Sequence, residues 1–496
     1  MSRREARLSR RALLAVRVAL CLQGVWLVAF SAVEFARYDL TYDFAIFFQA
    51  GLKIDHGDLS PFSTVENIPF WRDHGGFLMW PLAPLAALPP EGLWLLIAQD
   101  VATVAIGWVT VDWIAAMTAS KSWPRRLPPA LTIAAAGVLW LANPWVYSSA
   151  GFDFHLQAFA VLALVLAAKN MWRGRWRRTA VYSAVTLLAG AVAGSYVFGL
   201  GVSGMLIARR DRSRMVRSAA LACAGLAWTV LLSAIHANLG APLSAYAYLA
   251  GGKPGAGVAS IALGVLAHAS RLGRHLSSIE GDLILTLRPV GIAGFLSPWG
   301  IVPLLTFLVD AANHNSNFAL PYIHQPLPMW PLMIVGTVWL AAWLCTRDRG
   351  GMLGRLVVAI TLACSVTSAV TLLPAYPALW LRTTAASAAA VRKIIASIPP
   401  HAEVVVSDGI SGRFGSLEDV YDLLDFPSQV PLTRPTVYFV LAPSVGAEDT
   451  PANEEAIAVV SHLPHATLVR SSAGVFLFRW TPPPDLEYLY LPAPPR

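Results

Sequence analysis

Two aspartates lie where apolar segments of the sequence break, and carboxylates can act as general bases or hold divalent cations. Asp43 begins a helix-like stretch in RYDLTYDFAIFFQAG, and Asp153 lies in the turn GFDFH beside His155. A lone Asp at a helix start is more often an N-cap than a catalyst, and Asp153 could cap a helix that starts at Phe154. Both interpretations stay open, but two carboxylates at the same membrane depth favour catalysis.

A small basic patch is the second candidate for chemistry. Arg271, Arg274 and His275 follow the i, i+3, i+4 spacing that places side chains on one face of a helix. Guanidinium groups match phosphate oxygens, so this face suits a lipid phosphate. An interfacial helix that meets anionic head groups is an equally good interpretation. Arg288 lies inside an apolar stretch, where it could snorkel or meet an anion.

Other motifs are weak or absent. His74 and His155 could be ligands or proton carriers, although an isolated His is usually neither. The four Cys show no CxxC spacing, and there is no HExxH, no GxSxG and no metal-type Cys/His cluster. The glycine-rich segments 199–204 and 252–257 lack the context of a phosphate loop.

The composition is that of a membrane protein. Of the 496 residues, 56% are hydrophobic and only 13% are charged, whereas a soluble protein carries about 25% charged residues. Arg and Lys concentrate in short polar breaks, which the positive-inside rule assigns to the cytoplasm. Those clusters are too short and too dispersed to indicate nucleic-acid binding.

About 11 or 12 transmembrane or juxtamembrane helices are expected between residues 1 and 375. The predicted segments are 12–33, a short juxtamembrane 77–90, 92–117, 128–147, 155–168, a hairpin in 179–208 that turns at Gly194–Ser195, 216–236, a hairpin of 283–296 and 298–311, 329–346 and 356–373. This order predicts a cytoplasmic N-terminus in the inner membrane of a bacterium. It places the loop 34–76, the turn around Asp153, the loop 312–328 and the C-terminal residues outside.

The C-terminal part differs in kind. Strand-like EVVVSD and TVYFVLA alternate with helical segments, and residues 466–480 resemble a hairpin. The pattern predicts a small extracytoplasmic α/β domain over residues 376–480, followed by a Pro-rich tail, 481–496, with no fold of its own.

The motifs together resemble those of a bacterial family of membrane proteins with a domain of unknown function, within the GT-C glycosyltransferase superfamily. The shared patterns are Tyr42-Asp43-Phe-Ala-Ile-Phe-Phe-Gln49-Ala50, His74 before a proline-containing helix, Phe152-Asp153-Phe154-His155, Leu296-Ser297-Pro298, the Tyr322–Pro326 loop with His324, and Ile398–Val404. The pattern differs here at two places: Phe48 stands for an Asp, and small or apolar residues around Gly194–Val197 replace Lys-Glu-Asp.

The resemblance implies a transferase that uses a polyprenyl-phosphate sugar at the outer face of the cytoplasmic membrane. It implies that Asp43 and Asp153 act as base or as ligands of Mg²⁺ or Mn²⁺. The arginines 271, 274 and 288 and the histidines 74, 155 and 324 would bind donor or phosphate. The acceptor would be a glycan, a lipid or a protein. Two alternatives stay open: a transporter or flippase of a lipid-linked intermediate, and a non-catalytic envelope assembly factor.

Overall fold

The computed structural model describes residues 3–73, 75–235, 244–252, 257–314, 324–347, 351–423, 428–443, 445 and 451–491. A helical part comes first and a mixed α/β part follows, as the sequence predicted. Within the described residues, five helices are long and apolar enough to cross a membrane, or six if one bent pair counts as a single span.

The helices of the first part follow the apolar segments closely. They are α1 (Arg3–Arg37), α2 (Tyr42–Asp55), α3 (Phe70–Asp73), α4 (Met79–Ala87), α5 (Leu93–Thr118), α6 (Pro129–Leu141), α7 (Pro144–Gly151), α8 (Gln157–Trp172), α9 (Trp176–Leu187), α10 (Val192–Ile207), α11 (Arg212–Ile235), α12 (Val258–Ala267), α13 (Ala269–Ser278), α14 (Glu280–Leu287), α15 (Ile301–Ala312), α16 (Met329–Arg347) and α17 (Met352–Leu372). A two-stranded ribbon, β1 (Phe62–Ser63) with β2 (Ile68–Pro69), lies in the first loop.

Prolines and caps explain where several helices begin. Asn143 accepts a hydrogen bond from the Trp145 amide at 3.1 Å and caps α7, whose first residue is Pro144. Proline suits the first helical position because its missing N–H would have no partner there. The resulting break bends α7 by 44° from α6. The single predicted segment 128–147 is therefore two helices.

Helix α4 has nine residues and is about 14 Å long, too short to span a bilayer, in agreement with the short juxtamembrane segment predicted at 77–90. Two other predictions about segments need correction. The hairpin in 179–208 turns between Leu187 and Val192, before Gly194, which lies inside α10. The predicted helix 283–296 ends at Leu287, because Gly291 adopts a positive φ of 63° and short 3₁₀ turns follow.

The main core lies among α1, α5, α6, α8, α10 and α16. Trp113, Trp140, Trp299 and Trp330 are fully buried there. A second cluster joins α2, α4 and the start of α5, with Phe44, Phe47 and Phe70 inside. This second cluster fixes α2 against the bundle at the end where the α/β part packs.

The C-terminal part begins with two helices, α18 (Tyr376–Trp380) and α19 (Ala385–Ile395). Its main sheet has five strands in the order β4-β3-β6-β8-β7; the strands are β3 (Glu403–Val406), β4 (Asp419–Asp422), β6 (Val437–Leu441), β7 (Thr467–Ser472) and β8 (Val475–Trp480). Strands β3, β4 and β6 are parallel, and the β7–β8 hairpin is antiparallel and turns at Gly474, as predicted. Helix α20 (Pro451–Ser461) precedes the hairpin.

The prediction that residues after Thr481 have no fold was wrong for one segment. Strand β9 (Tyr488–Leu491) pairs antiparallel with β5 (Ser428–Pro431), and Leu489 is buried. The alternating Tyr-Leu-Tyr-Leu pattern is typical of a strand with one buried face. Prolines flank this short strand on both sides, which gives the segment the composition of an unstructured tail.

Candidate functional site

The N-terminus of α2 is held by two carboxylates from elsewhere in the chain. The first amide groups of a helix have no partner inside the helix. Thr41, at the N-cap position, makes no capping bond with its own side chain. Instead, Asp153 accepts hydrogen bonds from the Thr41 amide at 3.0 Å and from the Phe44 amide at 3.4 Å. Asp408, just after β3, accepts a bond from the Tyr42 amide at 3.1 Å.

Asp153 therefore caps α2, not the helix that follows it. The Thr41 hydroxyl also donates to Asp153. Both oxygens of this carboxylate have protein donors, which favours a structural role over direct contact with a substrate. Its backbone has φ of 43°, in the left-handed region that non-glycine residues seldom adopt. The turn around Asp153 is thus an unusual conformation held by specific contacts.

Asp43 lies in the first turn of α2 and faces His155. Its Oδ2 is 3.1 Å from Nε2 of His155, and the two side chains are only 13% and 8% exposed. The positive end of the helix dipole favours a carboxylate at this position. The structure thus brings together Asp43, Asp153 and His155, three residues that the sequence singled out.

Hydrogen bonding fixes the number of protons in the Asp43–His155 pair. Nδ1 of His155 is 3.2 Å from the carbonyl oxygen of Phe152, which can only accept, so Nδ1 carries a hydrogen. The contact between Nε2 and Asp43 then needs one further proton between them. This shared proton holds Nε2 of His155 against Oδ2 of Asp43.

His324 lies beside the group of Asp43, Asp153 and His155, which is called the centre from here on. Its ring stacks on His155, with centroids 3.4 Å apart, and both rings stack on Phe152. Gln157, the first residue of α8, donates a hydrogen bond to the carbonyl oxygen of Gln325 at 2.9 Å and anchors the chain next to His324. His74, the other predicted histidine, lies outside the described residues.

The basic patch forms a separate, open cavity of about 390 Å³. Its lining residues share polar or cationic side chains; they are Tyr248, Arg271, Arg274, His275, Ser278 and His314. Nδ1 of His314 is 3.3 Å from Nδ1 of His275. Arg274 is exposed and Arg271 is half-buried. Arg288, at the end of α14, is not among the described residues that line this cavity.

The family of the chain follows from its sequence as a whole. Residues 37–410 match the model described as "Predicted membrane protein (DUF2079)", which is three quarters of the chain. The chain belongs to the DUF2079 family. The match includes the α2 motif, the Asp153 turn, the basic cavity and the first strand of the C-terminal sheet. No curated protein sequence matches the chain.

Solved structures that are similar to this DUF2079 protein include an ArnT and an oligosaccharyltransferase. ArnT from Cupriavidus metallidurans, bound to undecaprenyl phosphate, matches with a TM-score of 0.46 and 14% identity, over 92% of this chain and 98% of its own. The Archaeoglobus fulgidus oligosaccharyltransferase in its apo form matches with a TM-score of 0.41 and 12% identity, over 82% of this chain and 64% of its own.

Electrostatics at the centre are dominated by burial. Burial raises the pKa of Asp153 to about 6, and the nearby Asp43 charge adds to this effect, while the Thr41 hydrogen bonds oppose it. Burial also raises the pKa of Asp39 to about 6. Asp39 accepts bonds from the Thr383 amide at 2.7 Å and the Arg382 amide at 3.2 Å, which ties the loop before α2 to the C-terminal part.

The residues present do not fit a tightly bound divalent cation. Among the described residues, no three His, Cys, Asp or Glu side chains are grouped to hold a metal ion. Both oxygens of Asp153 already accept protein hydrogen bonds, and Asp43 Oδ2 is engaged by His155. A role for Mg²⁺ or Mn²⁺ stays a prediction from the resemblance, and no chemical step below depends on one.

Sequence reasoning missed two residues that shape the centre, Asp408 and Gln99. Asp408 follows a buried strand, and carboxylates at strand ends are frequent in functional sites. Gln99 lies in the apolar helix α5, and its amide bonds to the turn that carries Asp153 and His155. A polar amide within such a helix was the available signal.

Proposed function

We propose that this DUF2079 protein is a membrane glycosyltransferase that moves a sugar from a polyprenyl-phosphate donor to an acceptor at the outer face of the cytoplasmic membrane. The observation that carries the proposal is the buried hydrogen bond between Asp43 and His155. A carboxylate paired with an imidazole, at a helix N-terminus and next to apolar helices, is suited to general-base chemistry on a lipid-linked substrate.

The proposed step transfers the sugar with inversion at its anomeric carbon. The acceptor hydroxyl oxygen forms the new bond to that carbon, and the bond from carbon to phosphate oxygen breaks. Its electron pair stays with the departing lipid phosphate. Asp43 takes the hydroxyl proton, and His155 stabilises the pair through its shared proton. Atoms and charges balance without a further reactant.

The basic cavity supports a phosphate-bearing donor. Arg271 and Arg274 supply guanidinium groups, and His275 and His314 add imidazoles that gain charge when protonated. The Arg271 guanidinium is also 3.5 Å from the carbonyl oxygen of Tyr248, a contact that orients it. The polyprenyl chain would remain among the apolar helices, and the cationic groups of this cavity would attract the donor phosphate. We include His324, stacked beside the pair, among the groups near the donor.

The orientation in the membrane is part of the proposal. Helix α8 has Asp153 and His155 before its first turn and the basic segment Lys169–Arg178 at its other end. Sixteen residues of helix separate the two by about 24 Å. If the basic end is cytoplasmic, as the positive-inside rule requires, the Asp43–His155 pair lies at the outer face.

Donor turnover tests this function. Purified protein and its Asp43→Asn variant would be incubated with a panel of polyprenyl-phosphate sugars, and free polyprenyl phosphate would be followed by mass spectrometry. We expect release by the wild type and a loss of about 10²–10⁴-fold in the variant. Asp58→Asn is the matched control, because Asp58 is an exposed carboxylate shortly after α2 whose side chain, among the described residues, bonds only to the Ser60 amide.

Parallel reactions with Mg²⁺, with Mn²⁺ and with a chelator test the cation. Release that survives chelation would remove the cation from the reaction, and release restored only by a divalent cation would establish it. If folded wild-type protein releases no polyprenyl phosphate from any donor, the transferase proposal is wrong. The same outcome is expected of a non-catalytic assembly factor, which partner capture by the full-length chain would then test.

One observation favours the transporter alternative. Glu34 on α1 and Asp100 on α5 are fully buried within the helical part, and ionisable groups at such positions often line transport paths. Movement of a lipid-linked sugar across proteoliposomes, without release of polyprenyl phosphate and sensitive to Glu34→Gln, would support transport. Unchanged movement in that variant would remove Glu34 from any such path.

A further inference from the structure

One buried amide on α5 contacts three backbone groups of the turn that carries Asp153 and His155. The Gln99 side chain is 1% exposed. Its Nε2 donates hydrogen bonds to the carbonyl oxygens of Ala150, at 3.1 Å, and Asp153, at 2.5 Å. Its Oε1 accepts the amide hydrogen of His155, at 2.6 Å. One side chain thus satisfies backbone groups at both ends of the turn.

This turn needs such support because its own geometry is unfavourable. Asp153 has a positive φ of 43°, which an L-residue other than glycine adopts only when its surroundings impose it. The chain leaves α7 at Gly151 and enters α8 at Gln157. The Phe152 amide still bonds to the Ser148 carbonyl, and the Leu156 carbonyl accepts from the Ala160 amide, so the helix hydrogen bonds stop short of residues 153–155. The two carbonyl oxygens and the amide are buried, and an unpaired buried backbone group is costly.

The backbone of this turn sets the direction of the His155 and Asp153 side chains. The His155 amide is fixed by Gln99, and the His155 ring then reaches Asp43 with Nε2 and the Phe152 carbonyl with Nδ1. The Asp153 carbonyl is fixed by Gln99 on one side, while its carboxylate holds Thr41 and Phe44 on the other. Gln99 therefore acts on the Asp43–His155 pair from two directions.

We propose that Gln99 is a positioning residue that holds the 150–155 turn in the conformation in which His155 faces Asp43, an inference that rests on the proposed function for its catalytic consequence. Among the described residues, this turn supplies the hydrogen-bond partners that explain a buried amide in an apolar helix. Gln99 touches neither substrate nor reacting atoms in this proposal, and it acts through His155 and Asp153.

Substitution should separate positioning from simple packing. Gln99→Leu keeps the size of the side chain and removes all three hydrogen bonds. A misplacement of the reacting groups by about 1 Å costs on the order of 100-fold in rate, so we expect a fall of that size in kcat with the KM for donor within about twofold of wild type. Gln99→Glu keeps the acceptor for the His155 amide but loses donors unless it is protonated.

The pH dependence of Gln99→Glu is the distinguishing readout. When protonated, the carboxyl group that this substitution introduces can donate to the Asp153 carbonyl and still accept from His155. The ratio of variant to wild-type kcat should therefore rise as the pH falls from about 8 to about 6. The titratable groups around this turn are Asp43, Asp153, His155 and His324, with Glu34 and Asp100 on the neighbouring helices. The wild-type profile in the same buffers is the reference for their contribution.

Amide hydrogen exchange tests the same inference without turnover. Peptides that cover residues 150–156 should exchange faster in Gln99→Leu than in wild type, with peptides from α8 and α16 unchanged. Thr110→Val is the matched control, because Thr110 is buried on the same helix and its hydroxyl, within the described part of the chain, bonds only to the Ile106 carbonyl.

The outcomes are separable. Unchanged exchange at 150–156 in Gln99→Leu, or a Gln99→Glu ratio that does not vary with pH, would overturn the positioning role. If Gln99→Leu does not fold, Gln99→Glu carries both readouts. Absence of donor turnover in wild type would defeat the proposed function and leave the exchange result to decide the role of Gln99 in holding the turn.

Discussion

The two polar regions of this protein differ in construction. Around Asp43 and His155, the carboxylates, the imidazole and the supporting amides are buried and bonded to one another or to backbone. Around Arg271 and Arg274, the side chains line an open cavity, and Arg274 is exposed. Satisfied buried hydrogen bonds make the first region rigid. In the second region, Arg271 and Arg274 make no ion pair with any of the described residues.

Because of this difference, the two regions should affect different kinetic constants. A general base depends on fixed distances, so changes near Asp43 should lower kcat. An open cationic cavity accommodates a ligand through charge and guanidinium geometry, so changes there should raise KM and respond to salt. Substitutions in each region can therefore separate an effect on kcat from an effect on KM.

The largest effect is expected at His155. His155→Gln keeps a hydrogen-bond donor near Asp43 but removes the shared proton, and we expect kcat to fall on the order of 1,000-fold. Steady-state release of polyprenyl phosphate measures this. His56→Gln, at an exposed histidine just after α2, is the control and should behave as wild type. A rate within about threefold of wild type in His155→Gln would contradict a catalytic role for His155.

The basic cavity should respond differently. Replacing Arg271 and Arg274 together by Ala removes two charged hydrogen-bond donors, and we expect kcat/KM to fall about 100-fold, mostly through KM. Arg288→Ala is the matched control, since Arg288 does not line the cavity among the described residues. A fall confined to kcat would show that these arginines act on the chemistry, and an equal effect in Arg288→Ala would place the phosphate elsewhere.

The C-terminal part should be integral to the rigid region. Asp408→Ala leaves the Tyr42 amide without its acceptor, which costs about 1–3 kcal/mol of stability and should lower kcat about tenfold through α2. Thermal unfolding in detergent and donor turnover measure the two effects. Further contacts cross the same junction: the Gly412 amide bonds to the Leu40 carbonyl, and Arg413 stacks on Phe35 and Tyr38. An unchanged midpoint and rate in Asp408→Ala would mean that these other contacts suffice.

Lowering the pH should reduce activity. Protonation of Asp153 and Asp39 should not, however, reduce the stability of the folded protein. The folded-state pKa values of Asp153 and Asp39 are raised to about 6, above the value near 4 expected for Asp in the unfolded chain. Between those values the folded protein binds more protons, so the stability that these groups contribute rises as the pH falls. Protonated Asp153 loses acceptor capacity for α2, and we expect a rate decrease of about tenfold one pH unit below 6.

Activity and melting temperature measured across the same buffers test this point. Loss of activity that tracks loss of folded protein would contradict the assignment to Asp153. The matched variant is Asp153→Asn, which cannot titrate and should show no decrease from this group.

The sequence predicted the positions of Asp43, Asp153 and His155 at one face of the membrane because each follows the end of an apolar segment. Their mutual contact was not predictable, since the bonds join residues 112 positions apart. Asp408 is 366 positions from Tyr42. Such pairings depend on how helices and the sheet pack, and no local period encodes them. The predicted helix ends were wrong where the backbone leaves the helical conformation, as at Gly291 with its positive φ and at the cap Asn143–Pro144.

The central claim is that Asp43 and His155 act as one unit, and a double-mutant cycle on donor turnover tests it most directly. Wild type, Asp43→Asn, His155→Gln and the double variant would be compared under single-turnover conditions at fixed donor concentration. If the two residues share one function, the double variant should be about as slow as the slower single variant. Losses that multiply in the double variant would show two independent contributions and contradict the Asp43–His155 pair as the catalytic base.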